Sequence, residues 1–494
     1  MWLTQLLERN RQCRPGRTAL VDEERSVTWA EFHDRTLELA RGLAELGIER
    51  GDRVAVLSKD RIEVLESYFA LARLGALFVP LNHSLAEPEV AGIIERVGAV
   101  AVIGESELLD RHPELPASVR IRLALDKPAF EALGTLAAER DLPEVADTDP
   151  IAVLHTSATT GQAKGVTVDS GSFRAIALGW LVMARPTDDI VMVNCCPLYH
   201  GSMVVSLTYL AAGATVVLMP GFTPQRALTA VERHRATHMW LVPQMLRFML
   251  QAKASHRTDL SCLREILYGA APMPLDVYAD AVERLGCGFR QVYGMTEVGG
   301  PFVTLGPDEH PAPGDVTARI PCGRVVPGMS ARAVDGGGRE LPPGEIGEIV
   351  VRGPGVMRGY WNDPKATREI TLDGWIRTGD LGFMDDEGRI SLVDRTKDVI
   401  IRAGQNVYPS EIERALLTHP AVRDAAVVGM PDEDYGEVPL AYVVPEPGAD
   451  PGAAALLRHV KGLLAPYKWP RRVEFIEQVP RNPAGKIVKK LLRA

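Results

Sequence analysis

Residues 155–166 read His-Thr-Ser-Ala-Thr-Thr-Gly-Gln-Ala-Lys-Gly-Val, and they follow the apolar run Ile151–Leu154, which predicts a buried strand. The loop is rich in hydroxyl groups, which are carried by Thr156, Ser157, Thr159 and Thr160. Hydroxyls and free backbone N–H groups after a strand suit the oxygens of a polyphosphate, and Lys164 adds a positive charge. The alternative is a polar surface loop without a ligand. The stretch contains no Gly-Lys-Ser/Thr, so a P-loop kinase or motor is disfavoured.

Short apolar strands alternate with helical patterns on either side of this loop. Predicted strands cover Arg53–Leu57, Leu77–Val79 and Val100–Ile103, and residues 60–76 carry apolar side chains on one helical face. This alternation predicts an α/β fold, with a doubly wound, mostly parallel sheet covered by helices on both faces. The longest apolar run, Met203–Met219, is broken by Gly213 and predicts a buried helix and strand instead of a membrane span.

The pattern changes in the second half of the chain. Two hairpins are predicted after about residue 319, at residues 329–351 around three glycines and at residues 382–393 around Asp-Asp-Glu-Gly. A new α+β pattern starts near Asp394, and Ser410 to Glu413 predicts a capping box that opens a helix. Since 494 residues exceed one compact core, we predict domains at residues 1–394 and 395–494.

Composition restricts the class of protein. The formal net charge of −9 disfavours a nucleic-acid partner, which would call for a basic excess. Six scattered cysteines without metal-site or redox spacing indicate a reducing compartment, and charged residues near the start argue against a signal peptide. We therefore expect a cytoplasmic protein without a membrane span.

The loop at residues 156–165 resembles the phosphate-binding signature of the adenylate-forming superfamily, which includes acyl-CoA synthetases, aryl-CoA ligases, luciferases and peptide-synthetase adenylation domains. The usual form is Thr-Ser-Gly-Thr-Thr-Gly-x-Pro-Lys-Gly, and this chain departs from it at Ala158 and Ala163. Four further family signatures follow in the family's order, at Tyr268–Pro272, Tyr293–Glu297, Thr378–Asp380 and Pro480–Ile487. The resemblance implies a large N-terminal domain of two doubly wound subdomains and a small β-barrel-like subdomain, followed by a small mobile α+β C-terminal domain.

The resemblance also implies roles on the ATP side. The phosphate loop contributes Thr156, Ser157, Thr159, Thr160, Gly161 and Lys164. The adenine and α-phosphate contacts come from Gly269, Ala270, Ala271, Tyr293, Gly294, Met295 and Thr296. Glu297 is the implied Mg²⁺ ligand, Asp380 and Arg395 hold the ribose, and Lys486 is the mobile catalytic lysine.

The acid and thiol sides are implied in the same way. The acid pocket is formed by His200, Gly201, Tyr293, Gly294 and Gly299, with His200 beside the substrate carboxylate. The alternative for His200 is a hydrogen-bonded core residue. No Asp lies between residues 196 and 218, so an α-amino acid is disfavoured and a fatty or aryl acid is favoured. Lys397 is the implied hinge, and Gly404 is the implied wall of the thiol tunnel.

The expected activity is therefore an AMP-forming acyl-CoA synthetase that uses ATP, Mg²⁺, coenzyme A and a small carboxylic acid. The first alternative has the same adenylation step but loads the phosphopantetheine of a separate carrier protein. The second is a non-catalytic protein that binds ATP or an acyl group, for which Ala158 and Ala163 are the only support. The pattern leaves the oligomeric state and the identity of the acid open.

Overall fold

The computed structural model describes residues 1–136, 140–156, 163–199, 201–315, 320–481 and 487–493. The chain divides into two compact units. The first unit comprises Met1–Ser330 and Arg352–Ile376, and the second comprises Ala331–Val351 and Arg377–Ala494. The predicted domain boundary after residue 394 stays a prediction, since the units are defined by compactness alone.

The first unit contains a nine-stranded sheet that is parallel in its centre and antiparallel at both ends. Its strands lie in the order Arg324–Val325, Gly300–Leu305, Gly288–Met295, Glu265–Gly269, His238–Leu241, Val191–Asn194, Thr215–Leu218, Thr18–Val21 and Ser26–Thr28. Apolar residues of its central strands, among them Val193, Met239 and Ile266, lie in one large core cluster. Parallel strands bring their carboxyl ends to one edge, which is where such sheets carry their ligands.

The first unit also contains a seven-stranded sheet. Its order is Gly359–Tyr360, Gly165–Asp169, Pro150–His155, Leu77–Leu81, Arg53–Leu57, Ala101–Gly104 and Ile121–Ala124. The five strands from Pro150–His155 onward pair in parallel, and the first two add to them antiparallel. The predicted parallel sheet is confirmed, and the strand before the phosphate loop is one of its members.

Helices accompany both sheets of the first unit. They span Trp2–Cys13, Trp29–Glu45, Ile62–Leu74, Glu87–Val97, Ser106–Asp110, Pro128–Ala132, Ser170–Ala184, Ser202–Ala212, Pro224–His234, Pro243–Gln251, Leu275–Leu285 and Pro364–Glu369. Sequence sets several of their ends: Thr28 and Glu31 form a capping box, and Gly75 ends its helix at a φ of 68°. Within the described residues, no helix has the length and apolar character that crossing a bilayer requires.

The second unit has two small sheets. One contains Ser330–Val334, Gly347–Arg352 and Trp375–Met384, with Ile390–Arg395 paired to the last of these. The other has the order Gln405–Val407, Ile400–Arg402, Gly436–Pro445 and Val422–Asp432, with Arg472–Phe475 paired to Gly436–Pro445. Two helices, Pro409–Leu417 and Ala453–Leu463, pack on the second sheet, and their buried residues share its core. Both hairpin predictions are confirmed.

The predicted capping box at Ser410 is wrong. The helix begins at Pro409, which suits the first helical position because that position needs no N–H donor. The backbone N–H of Ser410 donates to Asp394 Oδ2 at 2.9 Å, and its hydroxyl donates to the carbonyl of Val393. Glu413 accepts the N–H of Val427 at 2.8 Å, so both members of the predicted box serve tertiary contacts.

Candidate active site

The phosphate loop (residues 156–165) joins two antiparallel strands of the seven-stranded sheet. His155 pairs with Gly165 across the ladder, and the N–H of Thr156 donates to the carbonyl of Lys164 at 3.1 Å. The two ends of the loop are therefore held together. Four residues predicted to contact phosphate lie outside the described residues: Ser157, Thr159, Thr160 and Gly161.

Lys164 and Glu297 are linked through Tyr360, which the sequence did not single out. The Lys164 ammonium lies 4.9 Å from the centre of the Tyr360 ring, and the Tyr360 hydroxyl donates to Glu297 Oε1 at 2.8 Å. Burial and the neighbouring Glu297 carboxylate raise the pKa of Tyr360, so its hydroxyl stays protonated and remains a donor. Two predicted signatures, far apart in the chain, thus meet around one phenol.

Glu297 has the chemistry of the magnesium ligand that the family resemblance implies. Among the described residues, no group of three or more His, Cys, Asp or Glu is placed to hold a metal. Mg²⁺ is commonly held by one or two carboxylates, with substrate phosphates and water supplying the other oxygens. A single carboxylate that is oriented by a phenol matches that mode.

The predicted adenine-binding turn follows the strand Glu265–Gly269. A Cβ at Gly269 would lie 2.5 Å from the carbonyl oxygen of Val292, so only glycine fits there. Ala270 has a φ of +66°, which is unfavourable for a residue with a side chain and requires support from its surroundings. Two residues earlier, Tyr268 is buried, and its hydroxyl lies 2.8 Å from His310 Nε2 and 3.1 Å from Gln291 Oε1.

The second signature lies where the strand Gly288–Met295 ends. The strand pairs antiparallel with Gly300–Leu305, and the register shifts between Tyr293 and Gly294. Bulges of this kind re-aim side chains and are frequent near active sites. A Cβ at Gly294 would lie 2.3 Å from the carbonyl oxygen of Gly300, which explains the glycine.

The residues on both sides of this bulge are at least partly buried. The Tyr293 ring lies 5.2 Å from that of Phe302, and Met295 is partly buried at the end of its strand. Thr296 and Glu297 form a short 3₁₀ turn that ends at Gly299, whose φ is +65°. The residues that this signature contributes to the predicted adenine, phosphate and metal contacts, Tyr293, Thr296 and Glu297, are thus neighbours at the end of one strand.

Asp60 accepts a hydrogen bond from the segment that is predicted to line the acid pocket. The N–H of Leu198 donates to Asp60 Oδ1 at 2.9 Å, and Asp60 is only 5% exposed. Tyr199 contacts the ring of His83 at 5.8 Å, and the exposed Gly201 precedes the helix Ser202–Ala212. His200, the predicted gate, lies outside the described residues.

Replacing Asp60 with asparagine is expected to remove a pH dependence of stability. Burial raises the pKa of Asp60 to about 8, and the hydrogen bond from Leu198 only partly offsets this. Between about pH 4 and pH 8 the folded protein holds a proton that the unfolded chain releases. The wild-type protein therefore loses stability as pH rises through this window, by up to about 1.4 kcal/mol per pH unit. Asparagine keeps the acceptor for Leu198 and does not titrate.

Urea unfolding midpoints of both proteins at pH 5.5, 7 and 8.5 test this expectation. The stability of Asp60→Asn should increase relative to the wild type as pH rises. Ser58→Ala, a change in the same loop that leaves the carboxyl in place, should follow the wild-type profile. Parallel profiles for Asp60→Asn and the wild type would show that Asp60 is ionised when folded.

The two predicted ribose residues are neighbours in the second unit. Asp380 and Arg395 are directly opposite each other on paired strands, and Arg395 Nε lies 2.8 Å from Asp380 Oδ1. Asp380 is 6% exposed, and its N–H donates to the Thr378 hydroxyl at 3.1 Å. The carboxylate is therefore oriented by Arg395, and the backbone of Asp380 is held by Thr378.

The predicted hinge and thiol-tunnel residues also lie in the second unit. Lys397 is in a 3₁₀ turn, Thr396–Asp398, and burial lowers its pKa. Gly404 lies in the tight turn between Ile400–Arg402 and Gln405–Val407 at a φ of +79°, with open space where a Cβ would stand. Lys486 lies outside the described residues.

Two family profiles match the chain. One, described as AMP-binding enzyme, covers residues 7–361, and the other, described as AMP-binding enzyme C-terminal domain, covers residues 411–486. The chain belongs to the AMP-binding enzyme family. The predicted superfamily and the α/β fold with a large N-terminal and a small C-terminal part are confirmed.

Members of the AMP-binding enzyme family match this chain over nearly its whole length. The fatty acid–[acyl-carrier-protein] ligase ScoC of Streptomyces coeruleorubidus is 36% identical over 99% of this chain and 96% of its own. A feruloyl-CoA synthase of an Amycolatopsis species is 37% identical over 97% of this chain and 96% of its own. The crystal structure of ATP-bound MatB from Rhodopseudomonas palustris has a TM-score of 0.91 at 31% identity and covers 99% of this chain and 98% of that chain.

Proposed function

We propose that this protein is an AMP-forming acid–thiol ligase that activates a fatty or aryl acid and transfers the acyl group to coenzyme A. The observation that carries the proposal is the match of AMP-binding ligases over nearly the full length of both chains. The linked Lys164, Tyr360 and Glu297 support it, because they gather a cation, a phenol and a carboxylate where a polyphosphate and its metal are expected.

In the first half-reaction, a carboxylate oxygen of the acid attacks the α-phosphorus of ATP. The new O–P bond forms as the bond to the pyrophosphate oxygen breaks, so positioning and charge neutralisation are the protein's main tasks. Lys164 and the phosphate-loop hydroxyls hold the leaving phosphates, Thr296 contacts the α-phosphate, and Glu297 would hold Mg²⁺. When bound, Mg²⁺ neutralises phosphate charge. Lys486 stabilises the charge that develops between carboxylate and α-phosphate.

The nucleoside is held by the adenine-binding turn and by the ribose pair. Tyr293 and the turn at Gly269, Ala270 and Ala271 enclose the base, and Asp380 with Arg395 receives the ribose hydroxyls. The Asp380–Arg395 pair suits this task because Arg395 already orients the carboxylate before the substrate arrives. His200, Gly201 and Gly299 border the acid.

In the second half-reaction, a thiol sulfur attacks the carbonyl carbon of the acyl-adenylate. The C–S bond forms, the C–O bond to AMP breaks, and the thiol proton is lost to solvent or to AMP. A rotation about Lys397 brings the turn of Gly404 to the site and withdraws Lys486, so one site serves both reactions.

A carrier protein is the second candidate acceptor. A relative that matches 99% of this chain is named as a ligase for an acyl-carrier protein. Coenzyme A and such a carrier present the same phosphopantetheine thiol, so the chemistry of the second step is identical for both. The difference lies in what surrounds the thiol arm.

A panel of acids tests the proposal. Pyrophosphate release is measured with Mg²⁺ and ATP over fatty, aryl and amino acids, with coenzyme A, with a phosphopantetheinylated carrier protein, or with neither, and products are identified by mass. We expect acyl-CoA and AMP from one class of fatty or aryl acid. Acyl-adenylate that reacts only with the carrier would move the assignment to carrier loading. Binding of ATP without pyrophosphate release across the panel would favour the non-catalytic alternative.

We also propose a cytoplasmic location. All six cysteines are free thiols in the structure, which suits a reducing compartment. Fractionation of the native host, with the protein followed by antibody, tests this placement.

A further inference from the structure

The described residues just before and just after the stretch 482–486, which contains Lys486, are held by contacts within the second unit. Arg481 and Ile487 form an antiparallel bridge, and the N–H of Val488 donates to the carbonyl of Pro480 at 2.8 Å. Arg481 also pairs with Asp424 at 2.9 Å. The chain therefore enters and leaves the Lys486 region at fixed points.

Lys489 makes the most buried of the polar contacts in this segment. Its ammonium lies 2.8 Å from Glu413 Oε1, and the two side chains are only 12% and 15% exposed. The same Oε1 accepts the N–H of Val427 at 2.8 Å, which fixes the carboxylate against the sheet. Burial alone would lower the pKa of Lys489, but the charges of Glu413, Asp394 and Asp398 outweigh this and raise it.

The same segment reaches the predicted hinge. Arg493 lies 2.9 Å from Asp398 Oδ1, in the 3₁₀ turn that contains Lys397. Leu492 is buried in an apolar cluster with Ala426 and Val428, so the last described residues are packed as well as paired. The chain after Lys486 thus lies between the helix Pro409–Leu417 and the hinge turn.

We propose that Lys489 is a positioning residue for adenylation, which fixes the described backbone at residues 487–493 that adjoins Lys486. This inference rests on the proposed function and on the role of Lys486 in it. Ile487, which lies between Lys486 and Lys489 in the chain, is bridged to Arg481, so the Lys489–Glu413 pair holds the described chain that directly follows Lys486. A misplacement of about 1 Å at a reacting group can cost a hundredfold in rate. Because Lys486 acts only in the first half-reaction, loss of the Lys489–Glu413 pair lowers the rate of adenylation more than the rate of thioester formation.

The test compares Lys489→Met with Lys490→Met, which removes the same charge from the exposed neighbouring residue. ATP–pyrophosphate exchange reports adenylation, and thioester formation from supplied acyl-adenylate and coenzyme A reports the second half. For Lys489→Met we expect adenylation to fall between about tenfold and a hundredfold and thioester formation to stay within about threefold. Lys490→Met should leave both rates near wild type, and Lys489→Arg should restore most of the adenylation.

Three outcomes would overturn the proposal. One is an equal fall of both half-reactions, which indicates a merely structural pair. Another is unchanged adenylation in Lys489→Met. The third is an equal effect of Lys490→Met. If Lys489→Met does not fold, Glu413→Gln, which keeps the acceptor oxygen, is measured in its place with the same criteria. Failure of the proposed function itself is recognised separately, because the wild-type protein would then exchange no pyrophosphate with any acid.

Discussion

Lys486→Ala is expected to lower the rate of acyl-adenylate formation by about a hundredfold to a thousandfold and to leave thioester formation from supplied acyl-adenylate nearly unchanged. The reason is that the α-phosphorus acquires an incoming carboxylate oxygen while it still bears the departing pyrophosphate. Negative charge is then most concentrated between groups that a lysine ammonium can bridge. In the second half-reaction the leaving group is AMP, and the attacking group is a thiol, so this bridge has no function there.

The measurement uses ATP–pyrophosphate exchange for the first half and mass detection of acyl-CoA for the second. Lys490→Ala is the matched control, because it removes one positive charge four residues further along the chain. Equal losses in both halves of the Lys486→Ala reaction would refute the assigned role. Adenylation that persists at the wild-type rate would place the catalytic cation elsewhere, with Lys164 the first alternative.

The sequence predicted most of the architecture because the parallel strands are buried on both faces and therefore appear as short apolar runs. Arg53–Leu57 has the predicted bounds, and the strand before the phosphate loop differs by one residue at each end. The run Met203–Met219 is a helix and a strand, as expected from the glycine that interrupts it. Local pattern was sufficient wherever burial alone decided the structure.

Contacts between distant segments could not be predicted in this way. Tyr360 is 63 residues from Glu297, and Asp60 is 138 residues from Leu198, so no spacing in the sequence relates them. A tyrosine next to a tryptophan, or a lone aspartate after a strand, has many possible environments. Only the fold brings each one to its partner.

The failed capping box shows how tertiary contacts override a local motif. Ser410 and Glu413 have the residue types and the spacing of a cap, yet the proline between Tyr408 and Ser410 starts the helix. Glu413 is then available for Val427 and Lys489, which the local pattern could not anticipate. The family resemblance, in contrast, related two residues that local pattern does not connect. It assigned both Asp380 and Arg395 to the ribose, and the two side chains are paired.

Gly404→Leu is expected to have the opposite effect to Lys486→Ala. Thioester formation should fall about a hundredfold, while adenylation stays within about threefold of the wild type. The backbone at Gly404 has a φ of +79°, and open space lies where a side chain would project. In the proposed second half-reaction that space is the path of the pantetheine arm, and a leucine side chain would occupy it.

Backbone strain is a second possible cause of such a loss, and Gly404→Ala separates the two. Any residue with a Cβ meets a cost of about 1–2 kcal/mol at this positive φ, so alanine and leucine share the strain. Only leucine has the bulk to fill the path. If obstruction is the cause, Gly404→Ala keeps most of the rate of thioester formation and Gly404→Leu loses it. The loss should be the same with coenzyme A and with a carrier protein, because both present the same phosphopantetheine arm. If alanine and leucine are equally impaired, the glycine serves the shape of the turn and the tunnel lies elsewhere. Since the two half-reactions are measured separately, Lys486→Ala and Gly404→Leu together test whether one site alternates between two sets of catalytic contacts.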